Sequence, residues 1–206
     1  MAEDKPGTEF FEDLWKKDVW TFETNAYEQA RFAHEIAMLK GRRYGRALEL
    51  GCGAGAFTAL YAPLCDSVLA TDIAQAAIDR ARALALPNVE FRAANAMNHE
   101  TWVEEGPWDL IVFNDTICYL GWRYPFFDVA WFARQMRDAL ARDGRLLMAN
   151  TMNPEGGDYL LLPFVTLTYR DLFKNVGFRL EKEDRFTGAR NGVEFQVVET
   201  LFSRGD

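Results

Sequence analysis

Cysteine and histidine are scarce in this chain of 206 residues. The three cysteines, Cys52, Cys65 and Cys118, are odd in number, widely spaced and form no CxxC pair, and the only two histidines are His34 and His99. This pattern argues against a disulfide framework. Since neither histidine stands at ligand spacing from another candidate ligand, we also expect no metal site.

Long apolar runs and an excess of basic residues are lacking as well. No apolar stretch reaches the roughly 18 residues that a membrane span needs, and the acidic start MAEDKPGTEFFED does not resemble a signal peptide. The 23 basic and 31 acidic residues give a net charge of -8, which repels phosphate backbones. We therefore predict a cytoplasmic protein with neither a nucleic-acid nor a membrane partner.

The composition indicates a folded chain, with 49% hydrophobic and 26% charged residues. Its length predicts one domain with a small appendage, which we place as an N-terminal helical lid segment over residues 1–45 and a main domain over residues 46–206. Residues 10–40 have helical periodicity, and Asn25 followed by Glu28 forms a capping-box pattern.

From residue 46 onward, short apolar runs alternate with helical stretches. Strands are predicted at residues 47–50, 67–72, 89–93, 110–113 and 145–150, and helices at residues 55–63, 73–86, 124–141 and 169–176, with Gly177 just past the last helix. Two β-rich runs, 178–186 and 193–202, flank a glycine-containing turn. The pattern predicts an α/β fold whose parallel sheet is covered on both faces and ends in an antiparallel hairpin.

A glycine-rich loop follows the first predicted strand. Gly51, Gly53 and Ala56 satisfy G-x-G-x-x-A, which fits a dinucleotide or another adenosyl ligand equally well. Asp72, at the end of the second strand, suits a ribose diol, although it can also cap the next helix. Glu49 suits a ligand with a cationic head better than a pyrophosphate, although it can also bond the N–H groups of the loop.

Several segments resemble, in order and spacing, the motifs of class I S-adenosylmethionine-dependent methyltransferases. They are ALELGCGAGAF (47–57), LATDI (69–73), FRAANAM (91–97), WDLIVFNDTICYL (108–120) and RDGRLLM (142–148). The stretch DVWTFETNAYEQARFAHEIAML (18–39) is similar to the lead-in of the nodulation protein S type. The resemblance implies a Rossmann-like, seven-stranded, mostly parallel sheet and S-adenosylmethionine as the cofactor.

The resemblance also implies roles by position. Gly51, Gly53 and Gly55 would pass under the cofactor, Glu49 would organise their loop, and Asp72 would hold the ribose. Around the rest of the cofactor we expect Ile73, Asn95 and Ala96 near the adenine, Asn114 near the methyl donor and Trp20 in the lid. From its residue type, Arg31 suits the cofactor carboxylate, with a surface or salt-bridged arginine as the alternative. Asn95 departs from the aspartate usual in the family, so it brings a carbonyl acceptor but no charge.

Three residues are candidates for acceptor chemistry. Asp115, after the fourth strand, is the first choice as a base, with a structural carboxylate as the alternative. Tyr119 lies one helical turn further on, and His34 shares a helical stripe with Tyr27 and Arg31; a buried core tyrosine and a structural histidine are the alternatives. The acceptor is expected to contact Tyr27, Trp122 and Tyr124. The aromatic residues Trp15, Trp20, Phe22 and Tyr27 are expected to form a lid over the same opening, and the segment 151–166 is expected to supply the other wall.

Methyl transfer to a nitrogen of a small molecule is the predicted activity, with the protein as a monomer or homodimer. After Phe113 the chain lacks the Asn-Pro-Pro-aromatic run associated with methylation of amide or nucleobase nitrogens. Methylation of a natural-product hydroxyl, a nicotinamide-dependent oxidoreductase and a binding module without turnover remain alternatives.

Overall fold

A computed structural model describes residues 7–17, 19–20, 22, 24–154, 156 and 158–205. Its helices are α1 (Thr8–Lys16), α2 (Ala26–Leu39), α3 (Ala56–Tyr61), α4 (Gln75–Arg82), α5 (Ile117–Arg123), α6 (Phe126–Ala139) and α7 (Pro163–Asn175). Its strands are β1 (Tyr44–Leu50), β2 (Cys65–Asp72), β3 (Val89–Ala93), β4 (Trp108–Val112), β5 (Leu140–Met152), β6 (Arg179–Arg190) and β7 (Val193–Ser203). Short 3-10 turns lie at Ala62–Leu64, His99–Thr101 and Tyr159–Leu161.

All seven strands form one sheet in the order β3-β2-β1-β4-β5-β7-β6. The first five strands pair in parallel, and β7 pairs antiparallel with both β5 and β6. The predicted α/β class is therefore confirmed, including the mostly parallel sheet and its final antiparallel hairpin. The carboxyl ends of β1, β2 and β4 meet at one edge, which is where ligands bind in such sheets.

Successive side chains of a strand point to opposite faces of the sheet, and each face packs into its own hydrophobic core. In β1, Leu48 and Leu50 pack with α5, α6 and α7, whereas Ala47 packs with α2, α3 and α4. Each large apolar side chain that is fully buried contributes about 1.5–3 kcal/mol. Because α2 belongs to one of these two layers, the N-terminal segment packs directly on the sheet.

The segment over residues 10–40, which the sequence predicts to be helical, holds two separate helices, α1 and α2. α2 begins at Ala26 because the side chain of Asn25 accepts a hydrogen bond from the backbone N–H of Tyr27 at 3.0 Å. Glu28 does not complete the predicted capping box; its carboxylate pairs with Arg31 and Arg190 instead. Residues 1–6, 18, 21, 23, 155, 157 and 206 fall outside the described part, and with them Gly157 of the predicted 151–166 wall.

The helix predicted over residues 124–141 is present as α6 (Phe126–Ala139) and is shorter at both ends. Pro125 forces the preceding Tyr124 into an extended conformation (ψ 151°), so α5 ends before it and α6 starts after it. β5 starts already at Leu140, and its register against β4 shifts between Trp108 and Leu110. Residues 142–144, which the prediction left between this helix and the next strand, therefore lie inside β5, which is longer than expected.

The remaining helix boundaries differ by a few residues from the prediction. α4 is shorter than the predicted 73–86, and α7 begins earlier than 169 because Pro163 suits the first turn of a helix. Gly177 has a φ of 103° directly after the C-cap of α7, as predicted. Among the described residues, no helix is long and apolar enough to cross a membrane.

Candidate active site

One cavity opens at the carboxyl edge of the parallel strands, between the sheet, the N-terminal helices and the β6–β7 hairpin. It is lined by the following residues predicted above: Trp20, Tyr27, Arg31, Glu49, Gly51, Gly53, Asp72, Ile73, Asn95, Ala96, Asn114, Asp115, Tyr119 and Tyr124. Gly55, His34 and Trp122 are not among its lining residues. Sequence positions far apart in the chain thus meet at one site.

The glycine loop takes conformations that only glycine adopts freely. Gly51, Gly53 and Gly55 have φ angles of 84°, 53° and 82°. The N–H groups of Gly51 and Cys52 both donate to the carbonyl of Thr71, which ties the loop to the end of β2. A Cβ on Gly55 would lie 3.1 Å from the Phe91 ring, so this glycine permits close packing of the loop.

Asp72 links this loop to the start of α4. One carboxylate oxygen accepts the Gly53 N–H at 2.9 Å, and the other accepts the Ala74 N–H at 2.9 Å. Burial raises the pKa of Asp72, and the two backbone donors oppose that rise. Each oxygen keeps a lone pair for a further donor, so capping and binding of a ribose hydroxyl are compatible.

Glu49 is held from the opposite side, by α3. Its Oε2 accepts hydrogen bonds from Thr58 Oγ1 at 2.6 Å and from the Tyr61 hydroxyl at 3.1 Å. Burial raises the pKa of Glu49 to about 7. Its hydrogen bonds therefore go to hydroxyl groups of α3, which neither reading of the sequence predicted.

α1 lies over the glycine loop. A Cβ on Gly53 would lie 2.5 Å from Trp15 Cζ2, so the indole rests directly on this glycine. Glu12 accepts the backbone N–H groups of Gln75 and Ala76 and thereby caps α4 from another segment. The aromatic residues predicted to form a lid, Trp15, Trp20, Phe22 and Tyr27, all line the cavity.

Both polar atoms of the Asn95 side-chain amide form hydrogen bonds. Its Nδ2 donates to the Tyr124 hydroxyl at 2.9 Å, and its Oδ1 accepts the N–H of Met97 at 2.9 Å. Asn95 lies in the loop after β3, so this loop positions the hydroxyl group of Tyr124, the residue directly after α5. The two residues form one wall of the cavity together with Ala96.

Three acidic side chains surround Arg31. It is almost fully buried and pairs with Asp115, with Glu28 at 3.1 Å and with Glu35 at 3.5 Å. Its Nη1 also donates to Thr151 Oγ1 at 3.2 Å. The predicted contact of Arg31 with a cofactor carboxylate stays a prediction, because these partners already engage the guanidinium.

Asp115 and Asn114 follow β4 and are clamped to neighbouring elements. Asp115 has a φ of 46°, and its Oδ1 accepts the Thr151 N–H at 2.7 Å. Asn114 donates to Glu35 Oε2 at 2.7 Å and accepts the Ala149 N–H at 3.0 Å. Burial raises the pKa of Glu35 to about 8, although Arg31 opposes the rise.

Besides Gly55, two predicted residues, His34 and Trp122, do not line the cavity. His34 lies against the hairpin, where its Nδ1 is 2.5 Å from Oε2 of the fully buried Glu199. Trp122 packs edge-on against Phe10 and Tyr159 instead. Tyr119 does line the cavity, packed edge-on against Phe11, and burial raises its pKa well above the usual range.

Sequence reasoning missed the contribution of the hairpin. Arg190 and Phe195 line the cavity, although they lie far along the chain from the glycine loop. The sequence gives no periodic signal for this, since the placement depends on which sheet edge the hairpin occupies. Among the described residues, no group of three histidine, cysteine or acidic side chains could hold a metal ion.

The fold matches that of solved methyltransferases. The crystal structure of N-methyltransferase NodS from Bradyrhizobium japonicum in complex with S-adenosyl-L-homocysteine superposes with a TM-score of 0.74 at 19% identity, covering 93% of this chain and 98% of that one. The fold is thus the class I, Rossmann-like methyltransferase fold.

Comparison of sequences narrows this class to one family. The model of the nodulation protein S (NodS) family matches residues 7–151, and the chain belongs to that family. Nodulation protein S of Bradyrhizobium diazoefficiens is 33% identical over 131 residues, which are 58% of this chain and 57% of that protein. The Rhizobium tropici protein is 34% identical over 118 residues, 53% and 46% respectively. The chain therefore spans about half the length of these curated relatives.

Proposed function

We propose that this protein is an S-adenosylmethionine-dependent methyltransferase that acts on a nitrogen of a small molecule. The observation that carries the proposal is the union, in one cavity, of the left-handed glycine loop with the two carboxylates of Asp72 and Glu49. Family membership and the N-methyltransferase name of the NodS structure support the same activity.

The cofactor half of the cavity comprises Glu49, Gly51, Gly53, Asp72, Ile73, Asn95 and Ala96. These residues fit an adenosyl compound, since glycine lets a ligand approach the backbone and the Asp72 carboxylate can accept both ribose hydroxyl protons. Ile73 and the Asn95–Tyr124 pair offer an apolar contact and polar groups for an adenine. Bound S-adenosylmethionine would supply an activated methyl group.

The acceptor half of the cavity comprises Tyr27, Glu28, Arg31, Asp115, Tyr119, Thr151, Arg190 and Phe195. Most of the rate can come from holding the acceptor in line with the methyl group, which is worth at best roughly 7–11 kcal/mol. An amine also has to lose a proton. Asp115 keeps 33% of its side chain exposed while Arg31 and Thr151 fix its orientation, so it is placed to take that proton.

The nature of the partner is part of the proposal. An acidic chain of net charge -8 and a cavity walled by aromatic rings favour a small-molecule acceptor over a nucleic acid. Action in the cytoplasm and a monomeric or homodimeric state stay predictions.

Thermal unfolding with S-adenosylhomocysteine tests the proposal. At 100 times its Kd, a ligand that binds only the folded state adds about 2.7 kcal/mol of stability. We expect a clear rise in Tm for the wild type and none for Asp72→Ala, each compared with its own ligand-free Tm. Asp66→Ala is the matched control, because Asp66 lies in the same strand and pairs with Arg43 on the surface.

An unchanged wild-type Tm at saturating S-adenosylhomocysteine would refute the proposal. If NAD then raised the Tm, the nicotinamide-dependent alternative would replace it. Binding without methyl transfer to any of a broad panel of amines and phenols would favour a binding module.

A further inference from the structure

The wall formed by the hairpin lies outside the part of the chain that the NodS family model matches. The matched residues, 7–151, include the whole cofactor half, whereas Arg190 and Phe195 come after them. Most of the acceptor half lies within the matched residues too, but the hairpin adds Arg190 and Phe195 from beyond them.

Rigid local structure fixes the position of Arg190. The residues Asn191 and Gly192 have φ angles of 53° and 79°, as a tight two-residue hairpin turn requires, so Arg190 pairs directly with Val193. The hairpin also sits tightly on α2, since a Cβ on Gly188 would lie 2.9 Å from the Tyr27 ring. A side chain at position 190 is thereby held at the cavity.

The Arg190 guanidinium is anchored at one nitrogen and open at the others. Nη1 donates to Glu28 Oε1 at 3.1 Å, and the group lies 5.4 Å from the centroid of the Phe195 ring. The structure gives Nε and Nη2 no hydrogen-bond partner among the described residues, and the side chain is 34% exposed. Arg190 thus lines the cavity with the N–H donors of Nε and Nη2 unpaired by any described residue.

We propose that Arg190 forms a subsite for an oxyanion on the acceptor, so that the preferred acceptor is an amine that also carries a carboxylate or a similar anionic group. The planar fork of a guanidinium matches the paired oxygens of such groups. Asp115 on the same half suits the amine end and Arg190 the anionic end, so the wall is complementary to a zwitterion. This inference rests on the proposed function.

Binding to the protein saturated with S-adenosylhomocysteine tests this subsite without relying on turnover. The probes are ω-amino carboxylates of two to six carbons and n-alkylamines of the same lengths, measured by calorimetry. We expect at least one amino carboxylate to bind about tenfold more tightly than its matched amine, in line with the usual value of a charged hydrogen bond. In Arg190→Gln this ratio should fall to about one, while binding of S-adenosylhomocysteine is unchanged.

Two further variants keep the test decisive. Arg190→Lys retains the charge and the pairing with Glu28 but loses the fork, so it should fold normally and keep only part of the preference. Arg185→Gln changes an exposed arginine of the same strand and should bind like the wild type. Circular dichroism establishes that each variant is folded.

The outcomes separate the two proposals. If S-adenosylhomocysteine fails to bind the wild type, the proposed function falls. If it binds but the amino carboxylates bind no better than the amines, or neither class binds, the oxyanion subsite is overturned and the proposed function stands. A preference that survives in Arg190→Gln overturns the assignment to Arg190.

Discussion

The cofactor half of the cavity is shaped mainly by backbone, whereas the acceptor half is assembled from charged side chains. Around Gly53, glycine conformations and backbone N–H groups set the geometry, and Asp72 only ties them together. Around Arg31, three elements contribute charged side chains: α2 gives Glu28 and Glu35, the loop after β4 gives Asp115, and the hairpin gives Arg190. The geometry of the cofactor half is therefore specified by residues that lie close together in the sequence. The acceptor half forms only when segments that are far apart in the chain come together.

The largest expected effect tests whether charge holds the acceptor half together. Arg31→Met removes the cation that Asp115, Glu28 and Glu35 share, and leaving an ionised partner such as Asp115 unpaired in this way costs about 3–5 kcal/mol. Urea denaturation should show this loss in the free energy of unfolding. Arg43→Met is the control: its pair with Asp66 is largely exposed and should be worth less than about 1 kcal/mol. Equal losses in the two variants would show that charge does not distinguish this half.

The second prediction tests whether backbone shape governs the cofactor half. Gly53→Ala places a methyl group against the Trp15 ring and strains a left-handed residue, at about 1–2 kcal/mol for the strain alone. We expect affinity for S-adenosylhomocysteine, measured by calorimetry, to fall at least tenfold. Gly41→Ala bears similar strain with open space around it, so it should lose stability but not affinity. Normal affinity in Gly53→Ala would contradict the prediction.

The smallest expected effect is on the pH dependence of the free energy of unfolding, to which one buried acid in each half contributes. Burial raises the pKa of Glu35 to about 8 and that of Glu49 to about 7, from an ordinary value of 4.5. The folded state therefore holds each proton more tightly than the unfolded chain does. Each group's stabilisation is complete below pH 4.5 and is lost as the pH rises through its folded pKa, with a slope of at most about 1.4 kcal/mol per pH unit.

Variants with a neutral side chain isolate each contribution. Glu35→Gln should flatten the fall in unfolding free energy between pH 4.5 and about 8, and Glu49→Gln should do so between pH 4.5 and about 7. Denaturation curves across this range measure both, with the exposed Glu90→Gln as the control. An undiminished slope in Glu35→Gln would mean that its carboxyl group is already ionised in the folded protein at neutral pH.

Local chemistry made much of the fold predictable. Apolar runs that end in glycine or an acid located the parallel strands, and the Asn-Gly turn located the hairpin. The break between α1 and α2 was not predicted, because helical periodicity alone does not mark it. The start of the helix predicted over residues 124–141 was placed two residues too early, because Pro125 outweighs the apolar pattern. Both errors arose where backbone constraints override side-chain spacing.

The contacts of the site also divide into those that the sequence predicts and those that it does not. The glycine loop and Asp72 lie within a few residues of strand ends, so their place in the cavity followed from the order of the strands. The bonds from Thr58 and Tyr61 to Glu49, and the capture of Arg31 by Asp115, depend on how helices rotate on the sheet. Such orientations are set by packing across the whole chain, which spacing alone does not encode.

The last strand in sequence, β7, is inserted between β5 and β6 rather than added at the sheet margin. During translation, the five parallel strands and their glycine loop emerge from the ribosome first, whereas β6 can pair only after β7, the strand beside it in the described sheet, has been made. Arg190 and Phe195 can take their places only after β7 has been translated. In a nascent chain, the half of the cavity that we propose for the cofactor would thus form before the hairpin wall that we propose for the acceptor.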